Sequence, residues 1–324
     1  MFQNLQKFKD LLQNSKKILL INHIKMDVDA FGSLAALFLV LQKMSKSVKA
    51  VNDSETPKDF DFLLDKKIIE PELDISEFNP DLIISLDAAS QSQLGEVYKK
   101  FENIFLEKNF VVIDHHQTNS GFGSLNFIYP NYSSACELLY DMLIKLDFEK
   151  YIDKEIATLL IAGIHTDTNI FYNQNTTPNT LKVASELVKL GADFRSPIYN
   201  FYQKISLNRL KLFAKAIKSL EVFGNLIIGN LKNDDFRNTN TSLEDTSGII
   251  NKLSNIEENE AICMIYEIDD GVKVSFRSKN IDIGSFCASF PNGGGHKNAA
   301  GFYLKTNLIE SKKIILEKFK KFFN

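Results

Sequence analysis

The chain has 324 residues, 44% hydrophobic and 24% charged, with a formal net charge of −3, the balance of a globular protein of one large or two ordinary domains. A protein that grips long nucleic acid by its phosphates carries a clear positive excess, so small anionic ligands fit better than a duplex. Three scattered cysteines, Cys136, Cys263 and Cys287, suggest neither a disulfide framework nor a zinc cluster and point to a reducing cytoplasm.

The N-terminal stretch "MFQNLQKFKDLLQNSKK" is amphipathic and lacks a signal-peptide core, and no apolar run is long enough to span a bilayer. A cytoplasmic protein without membrane partners is therefore expected. "KILLIN" (17–22) reads as a strand buried on both faces, "DAFGSLAALFLVLQKMS" (29–45) as a helix and "SVKAVN" (47–52) as a second strand. "DLIISLD" (81–87) and "FVVID" (110–114) are apolar runs that end in aspartate. "SSACELLYDMLIKL" (133–146) and "KEIATLLIAGIHTDT" (154–168) read as helices. Strands alternating with helices predict an α/β domain with a parallel sheet. The pattern turns almost wholly helical from Pro178 to Leu220. Beyond it, "AICMIYEIDDGVKVSFRS" predicts a hairpin, and "NGGGHKNAAGF" precedes a terminal helix. The expected organisation is a larger α/β domain at 1–185, a helical linker at 186–221 and a smaller α+β domain at 222–324.

The early strands deliver acids and histidines at their C-terminal ends. His23, Asp27 and Asp29 follow "KILLIN", Asp87 follows "LIIS", and Asp114, His115 and His116 follow "VVI"; "GIHTDTNIF" adds His165 and Asp167. Ligands bind outside the carboxyl ends of strands in open parallel sheets. One such aspartate alone is more often a helix cap or a turn residue, and one histidine is more often structural than a ligand. Four segments that converge on one rim suit a site for two divalent ions about 3.5–4 Å apart that share a carboxylate. Carboxylate and imidazole donors without thiolate favour manganese, with magnesium or iron less suited. Gly32 and Ser33, just after Asp29, are expected to let a phosphate approach the helix amides. The glycines of "NGGGH", Gly293, Gly294 and Gly295, suit an anion-binding nest, with His296 and Lys297 beside them. Arg277 and Ser278 end a strand where a guanidinium would bind phosphate.

These motifs, in this order, resemble the DHH phosphoesterase family, in its two-domain branch with a C-terminal DHH-associated domain, the oligoribonuclease/pAp-phosphatase type. Asp114-His115-His116 is the name-giving triplet. "HIKMDVDAFGS", "SLDAAS" and "GIHTDTNIF" are similar to the family's first, second and fourth motifs, and "GGGHKNAAGF" to the signature of the associated domain. The resemblance implies a manganese-dependent phosphoesterase with two Mn2+ ions, Mg2+ or Fe2+ being the alternatives. One ion would be held by His23, Asp27 and Asp87, the other by Asp29, Asp87, His115 and Asp167. Asp114 would support the site, and His116 would face the scissile phosphate. Arg277, Ser278, Gly293, Gly294, Gly295 and His296 would bind the nucleotide. Implied partners are short RNA or nucleotides, not duplex DNA or a membrane, and a homodimer is compatible with the pattern. Short oligoribonucleotides, 3'-phosphoadenosine 5'-phosphate (pAp) and cyclic or linear dinucleotides stand as substrates, and a non-catalytic nucleotide-binding protein as the alternative of another class. Two positions depart from the family pattern. Met26 stands where proline precedes the first aspartate, and Asn169 stands where glycine is common. His165 is left without a role.

Overall fold

The computed structural model describes residues 3–64, 67–71 and 73–323. The chain forms two compact units, Met1–Lys204 and Ile205–Asn324. The first runs through α1 (Leu5–Asn14), β1 (Lys17–Asn22), α2 (Val28–Lys43), β2 (Ser47–Val51), α3 (Ile75–Phe78) and β3 (Leu82–Leu86). It continues with α4 (Gly95–Lys100), α5 (Glu102–Glu107), β4 (Asn109–Asp114), β5 (Leu125–Ile128), α6 (Ala135–Lys145), α7 (Lys154–Asp167), α8 (Pro178–Lys189) and α9 (Arg195–Ile198).

All five strands are parallel, in the order β2-β1-β3-β4-β5. The apolar runs of β1, β3 and β4 lack alternation because both faces are covered. Ile18 and Leu20 of β1 pack into the core that holds α2, α6 and α7, while Leu19 and Ile21 pack against α4 and α5 on the other side. β5, absent from the expected strands, has the sequence LNFI; four residues are too few to display a period. The chain leaves β1 for β2 on one side and returns to β3 on the other. The crevice between the carboxyl ends of β1 and β3 is thus the topological switch point, where open α/β sheets bind ligands.

Helices α2 and α7 cross at close range because glycine stands at the contact. A Cβ on Gly32 would lie 2.6 Å from the Leu159 carbonyl oxygen, and Ser33 is fully buried, its hydroxyl donating to the Asp29 carbonyl at 2.8 Å. This corrects the expectation that Gly32 and Ser33 admit a phosphate: they are spent on helix packing. Gly163 of α7 faces the same crossing, where a Cβ would overlap Cys136 Sγ and stand 2.6 Å from Asp29 Oδ1. Gly163→Ala is expected to destabilise the metal-free chain by about 1–3 kcal/mol, the usual cost of overpacking, and to displace the Asp29 carboxylate. Thermal unfolding with and without divalent metal checks both effects; an unchanged midpoint in both states would refute them.

The second unit contains α10 (Leu207–Lys218), β6 (Glu221–Phe223), β7 (Leu226–Leu231), α11 (Asn233–Thr239), α12 (Ile249–Leu253), β8 (Ala261–Ile268) and β9 (Gly271–Ser278). It ends with α13 (Ile283–Ala288), β10 (Gly294–His296), β11 (Ala299–Leu304) and α14 (Leu308–Phe323). The six strands form one mixed sheet, β10-β11-β9-β8-β7-β6, in which only β7 and β8 are parallel. Of residues 186–221, the stretch to Lys204 belongs to the first unit, and α10 buries Leu212 and Ala216 in the second. Among the described residues no helix is long and apolar enough to cross a membrane.

Candidate metal centre

The expected ligands of the first unit gather at the switch point. His23 follows β1, Asp87 follows β3, and Asp114, His115 and His116 end and follow β4. Asp29 comes from the first turn of α2 and Asp167 from the last residue of α7. Ligand atoms within 4.8 Å of one another define three groups: His23, Asp27 and Asp87; Asp29, His115 and Asp167; and Asp87, His115 and His116.

Two of the three imidazoles, His23 and His116, are aimed by a neighbour. His23 Nδ1 lies 2.8 Å from the Ile24 carbonyl oxygen, so Nδ1 carries the hydrogen and Nε2 is free toward the cluster. That Nε2 lies 3.9 Å from Asp27 Oδ1 and 3.7 Å from Asp87 Oδ2. His115 Nε2 lies 3.4 Å from Asp87 Oδ1, 3.3 Å from Asp167 Oδ2 and 3.9 Å from Asp29 Oδ2. His116 Nδ1 pairs with Asp114 Oδ1 at 2.8 Å. Asp114, fully buried, also accepts from Asn119 Nδ2 at 2.7 Å.

Asp27 and Asp29 are held as firmly. Asp27 caps α2, its Oδ1 accepting from the amides of Asp29 and Ala30 at 3.0 Å each. Cap and candidate ligand are thus the same side chain. Asp29 is seated on the N-terminus of α6: Oδ2 accepts from Ala135 N at 2.6 Å and Oδ1 from Cys136 N at 2.9 Å. Asp87 adopts a left-handed backbone (φ 56°), unusual for a residue with a Cβ, and is 2% exposed. Asn175 Nδ2 donates to the Asp167 carbonyl at 3.2 Å and the Ser133 carbonyl at 3.0 Å, tying the end of α7 to the start of α6. Asn119, Asn175 and the α6 amides were not read from the sequence. The helix expected at 133–146 is α6, and Ser134 with Glu137 three residues on marks its start, but nothing local links that helix end to Asp29.

Among the described residues, Asp87 Oδ1 is buried without a hydrogen-bond partner, which for a carboxylate is costly unless a cation meets it. Burial, then the Asp87 charge, push the Asp29 carboxyl up; burial, then Asp29, do the same to Asp167. Burial opposes a charge on His23, but its bonds to Asp27 and the Ile24 carbonyl and the charge of Asp87 outweigh it and raise the pKa to about 9. His115 is likewise carried against burial to about 10 by Asp87, Asp29 and Asp167. Protons thus balance the carboxylates in the metal-free chain, at a site whose oxygen and imidazole donors suit hard or borderline divalent ions. The residues fit a metal centre.

A raised pKa means the proton must leave before a lone pair can be donated. Affinity for a divalent ion is therefore expected to climb as pH rises toward 9, with protons released on binding. Calorimetry in buffers of different ionisation enthalpy measures that release, and a count of zero would contradict it.

His165, without an expected role, is fully buried between the rings of Phe171 (centroids 5.4 Å) and Phe194 (4.5 Å), both nearly perpendicular to it. Burial holds its pKa down to about 4, so it is a neutral packing group. Asn169 has a φ of 48°, a left-handed conformation that glycine adopts freely and asparagine tolerates. The departure from the family's glycine keeps the turn.

The substrate-binding candidates lie in the second unit. Gly294, Gly295 and His296 form the edge strand β10 rather than an open loop, and Gly293 N donates to the Phe290 carbonyl at 3.1 Å. The register aligns His296, Ala299 and Arg277 in one row across three strands. The His296 and Arg277 side chains therefore share a sheet face, two strand spacings or about 10 Å apart. Arg277 Nε donates to Asn251 Oδ1 at 2.9 Å, and the Ser278 hydroxyl is committed to the Ile281 carbonyl at 2.6 Å.

A parallel sheet with aspartates and histidines gathered at its switch point, followed by a mixed-sheet domain, defines a two-domain hydrolase of phosphate esters. Residues 17–164 match the DHH family N-terminal domain, and residues 225–324 match the DHHA1 domain. The chain belongs to the DHH phosphoesterase family, in the branch with a C-terminal DHHA1 domain. It is 28% identical over 288 residues to the bifunctional oligoribonuclease and PAP phosphatase NrnA of Bacillus subtilis, covering 88% of each chain. It is 28% identical over 300 residues to the NrnA of the same description from Thermus thermophilus, covering 89% of this chain and 84% of that one. The crystal structure of an exopolyphosphatase-related protein from Bacteroides fragilis shares the fold, with a TM-score of 0.81 at 23% identity over 98% of this chain and 96% of that one.

Proposed function

We propose that the chain is a manganese-dependent phosphoesterase that hydrolyses short oligoribonucleotides, pAp, or both, in the cytoplasm. The observation that carries the reading is the orientation of Asp87. Its Oδ2 faces His23 at 3.7 Å and its Oδ1 faces His115 at 3.4 Å, as a carboxylate shared by two ions requires. His23, Asp27 and Asp87 would hold one ion; Asp29, Asp87, His115 and Asp167 would hold the other. Two such ions supply Lewis-acid polarisation of the phosphoryl group and a water that is nucleophilic at neutral pH. The chain's own part is positional. Asp114 fixes the His116 ring, and His116, 42% exposed at its side chain, is free to present Nε2 as the proton donor to the leaving oxygen. Residues 222–324 are assigned the nucleotide. The oligoribonuclease and PAP phosphatase names of the Bacillus and Thermus relatives support the substrate class.

The test is a panel of pAp, pApA, cyclic di-AMP, short RNAs and duplex DNA with Mn2+. Release of inorganic phosphate from pAp, or of mononucleotides from the short RNAs, is expected, with duplex DNA spared. Turnover of cyclic di-AMP alone would make it a dinucleotide phosphodiesterase, and no turnover of any would make it a binding protein. In the same assay His296→Ala is expected to lower kcat/KM for the nucleotide on the order of 10²-fold, the scale of one positioned polar contact. The generic ester bis-p-nitrophenyl phosphate, with little to offer that domain, should lose much less. Equal losses would assign His296 to the chemical step.

A further inference from the structure

The first unit ends in a single π-helical turn, Tyr199–Gln203, in which Lys204 N donates to the Tyr199 carbonyl at 2.7 Å. Such turns are rare and recur at functional sites. Here the turn sends consecutive rings in different directions. Phe201 packs against Phe60 (centroids 5.9 Å) and Phe62 (5.1 Å). Tyr202 reaches the end of α7, its hydroxyl 3.2 Å from the His165 carbonyl oxygen and 3.4 Å from that of Thr166. Those two residues immediately precede Asp167, a carboxylate of the metal centre. Tyr202 remains 36% exposed. Its hydroxyl proton is committed to backbone and is not available to a phosphate. What the side chain still offers is the flat surface of a ring anchored to the end of α7 that carries Asp167.

We propose that the Tyr202 ring is a stacking platform for the nucleobase next to the phosphate hydrolysed at the Asp87 centre. The proposal rests on the nucleotide phosphoesterase reading and deepens it by naming a base subsite in the catalytic domain. Stacking on an aromatic face tolerates every base, because each has a π-face. The subsite therefore demands a base without choosing among the four, which suits an enzyme that clears short RNA of any sequence.

Two substrates separate the base from the phosphate: pApA, and the same dinucleotide without its bases. Tyr202→Ala is expected to raise KM for pApA on the order of 10-fold, the scale of one lost stack, with a much smaller change in kcat. The loss on the base-free ester should be several-fold smaller. Tyr202→Phe keeps the ring and loses the hydroxyl, and should recover most of the wild-type KM. A binding readout runs beside turnover. A 2-aminopurine dinucleotide joined by an uncleavable methylphosphonate should be quenched by the full-length, manganese-loaded wild type and by Tyr202→Phe, but not by Tyr202→Ala. If Tyr202→Phe is as impaired as Tyr202→Ala, or if both substrates suffer equally, Tyr202 is a strut for Asp167 and the stacking proposal is overturned. An unquenched probe in the wild type overturns it as well. Quenching without hydrolysis of any nucleotide would leave the platform standing and remove the enzymatic reading beneath it.

Discussion

Asp87→Asn is expected to lower turnover on the order of 10³-fold or more while the chain stays folded. Lewis-acid stabilisation by metal ions amounts to several kcal/mol, and each step of about 1.4 kcal/mol is tenfold in rate. Asp87 is the side chain whose loss reaches both imidazoles, since its two oxygens face His23 and His115 separately. The fold should survive for the reason the charge is costly. The residue is 2% exposed with an unpartnered oxygen, and its charge raises the pKa of Asp29 and Asp167. Removing it relieves repulsion among buried carboxylates in the metal-free chain but also gives up its attraction to the protonated His23 and His115. The two effects oppose, so the melting temperature without metal should change little, and the increment added by Mn2+ should shrink. Bound manganese per chain, measured after gel filtration, should fall. Full activity with unchanged metal dependence would end the shared-carboxylate assignment.

His116→Ala is expected to lower kcat about 10²–10⁴-fold, the range for a positioned general acid, and to spare manganese binding. The geometry separates it from its neighbour. His115 Nε2 points among Asp87, Asp29 and Asp167, whereas His116 spends Nδ1 on Asp114 and keeps its other nitrogen away from that bond. The bond to Asp114 raises the His116 pKa and so favours the protonated ring. An acid matters most when the leaving oxygen is basic. The loss should therefore be large for a ribonucleotide ester and small for a p-nitrophenyl ester, whose leaving group departs without a proton. Asp114→Asn should reproduce part of the loss, because it weakens the hold on the ring. Equal losses on the two esters would exclude His116 as the acid, and lost manganese binding would make it a ligand.

Much of the centre was legible before any fold was known. β1, β3 and β4 bury both faces, so each appears as an unbroken apolar run, and polar residues at its end must lie at the rim of the sheet. That rule alone marked His23, Asp27, Asp87, Asp114, His115 and His116. The tertiary structure decided which rim residues meet. β1 and β3 are neighbours although the whole of α2 and β2 lies between them in the chain, and only that order brings His23 to Asp87. It also decided that Gly32 belongs to a helix crossing rather than an anion site, because the partner is a carbonyl of α7 far along the sequence. Asp29 is held by amides more than a hundred residues away, and the "GGGH" glycines join an edge strand whose register depends on β11 and β9. Local sequence dictates the period of an element and where it ends, because those depend on neighbouring backbone and on burial. The pairing of distant segments depends on loop closure and packing across the whole domain, which no short stretch of residues encodes.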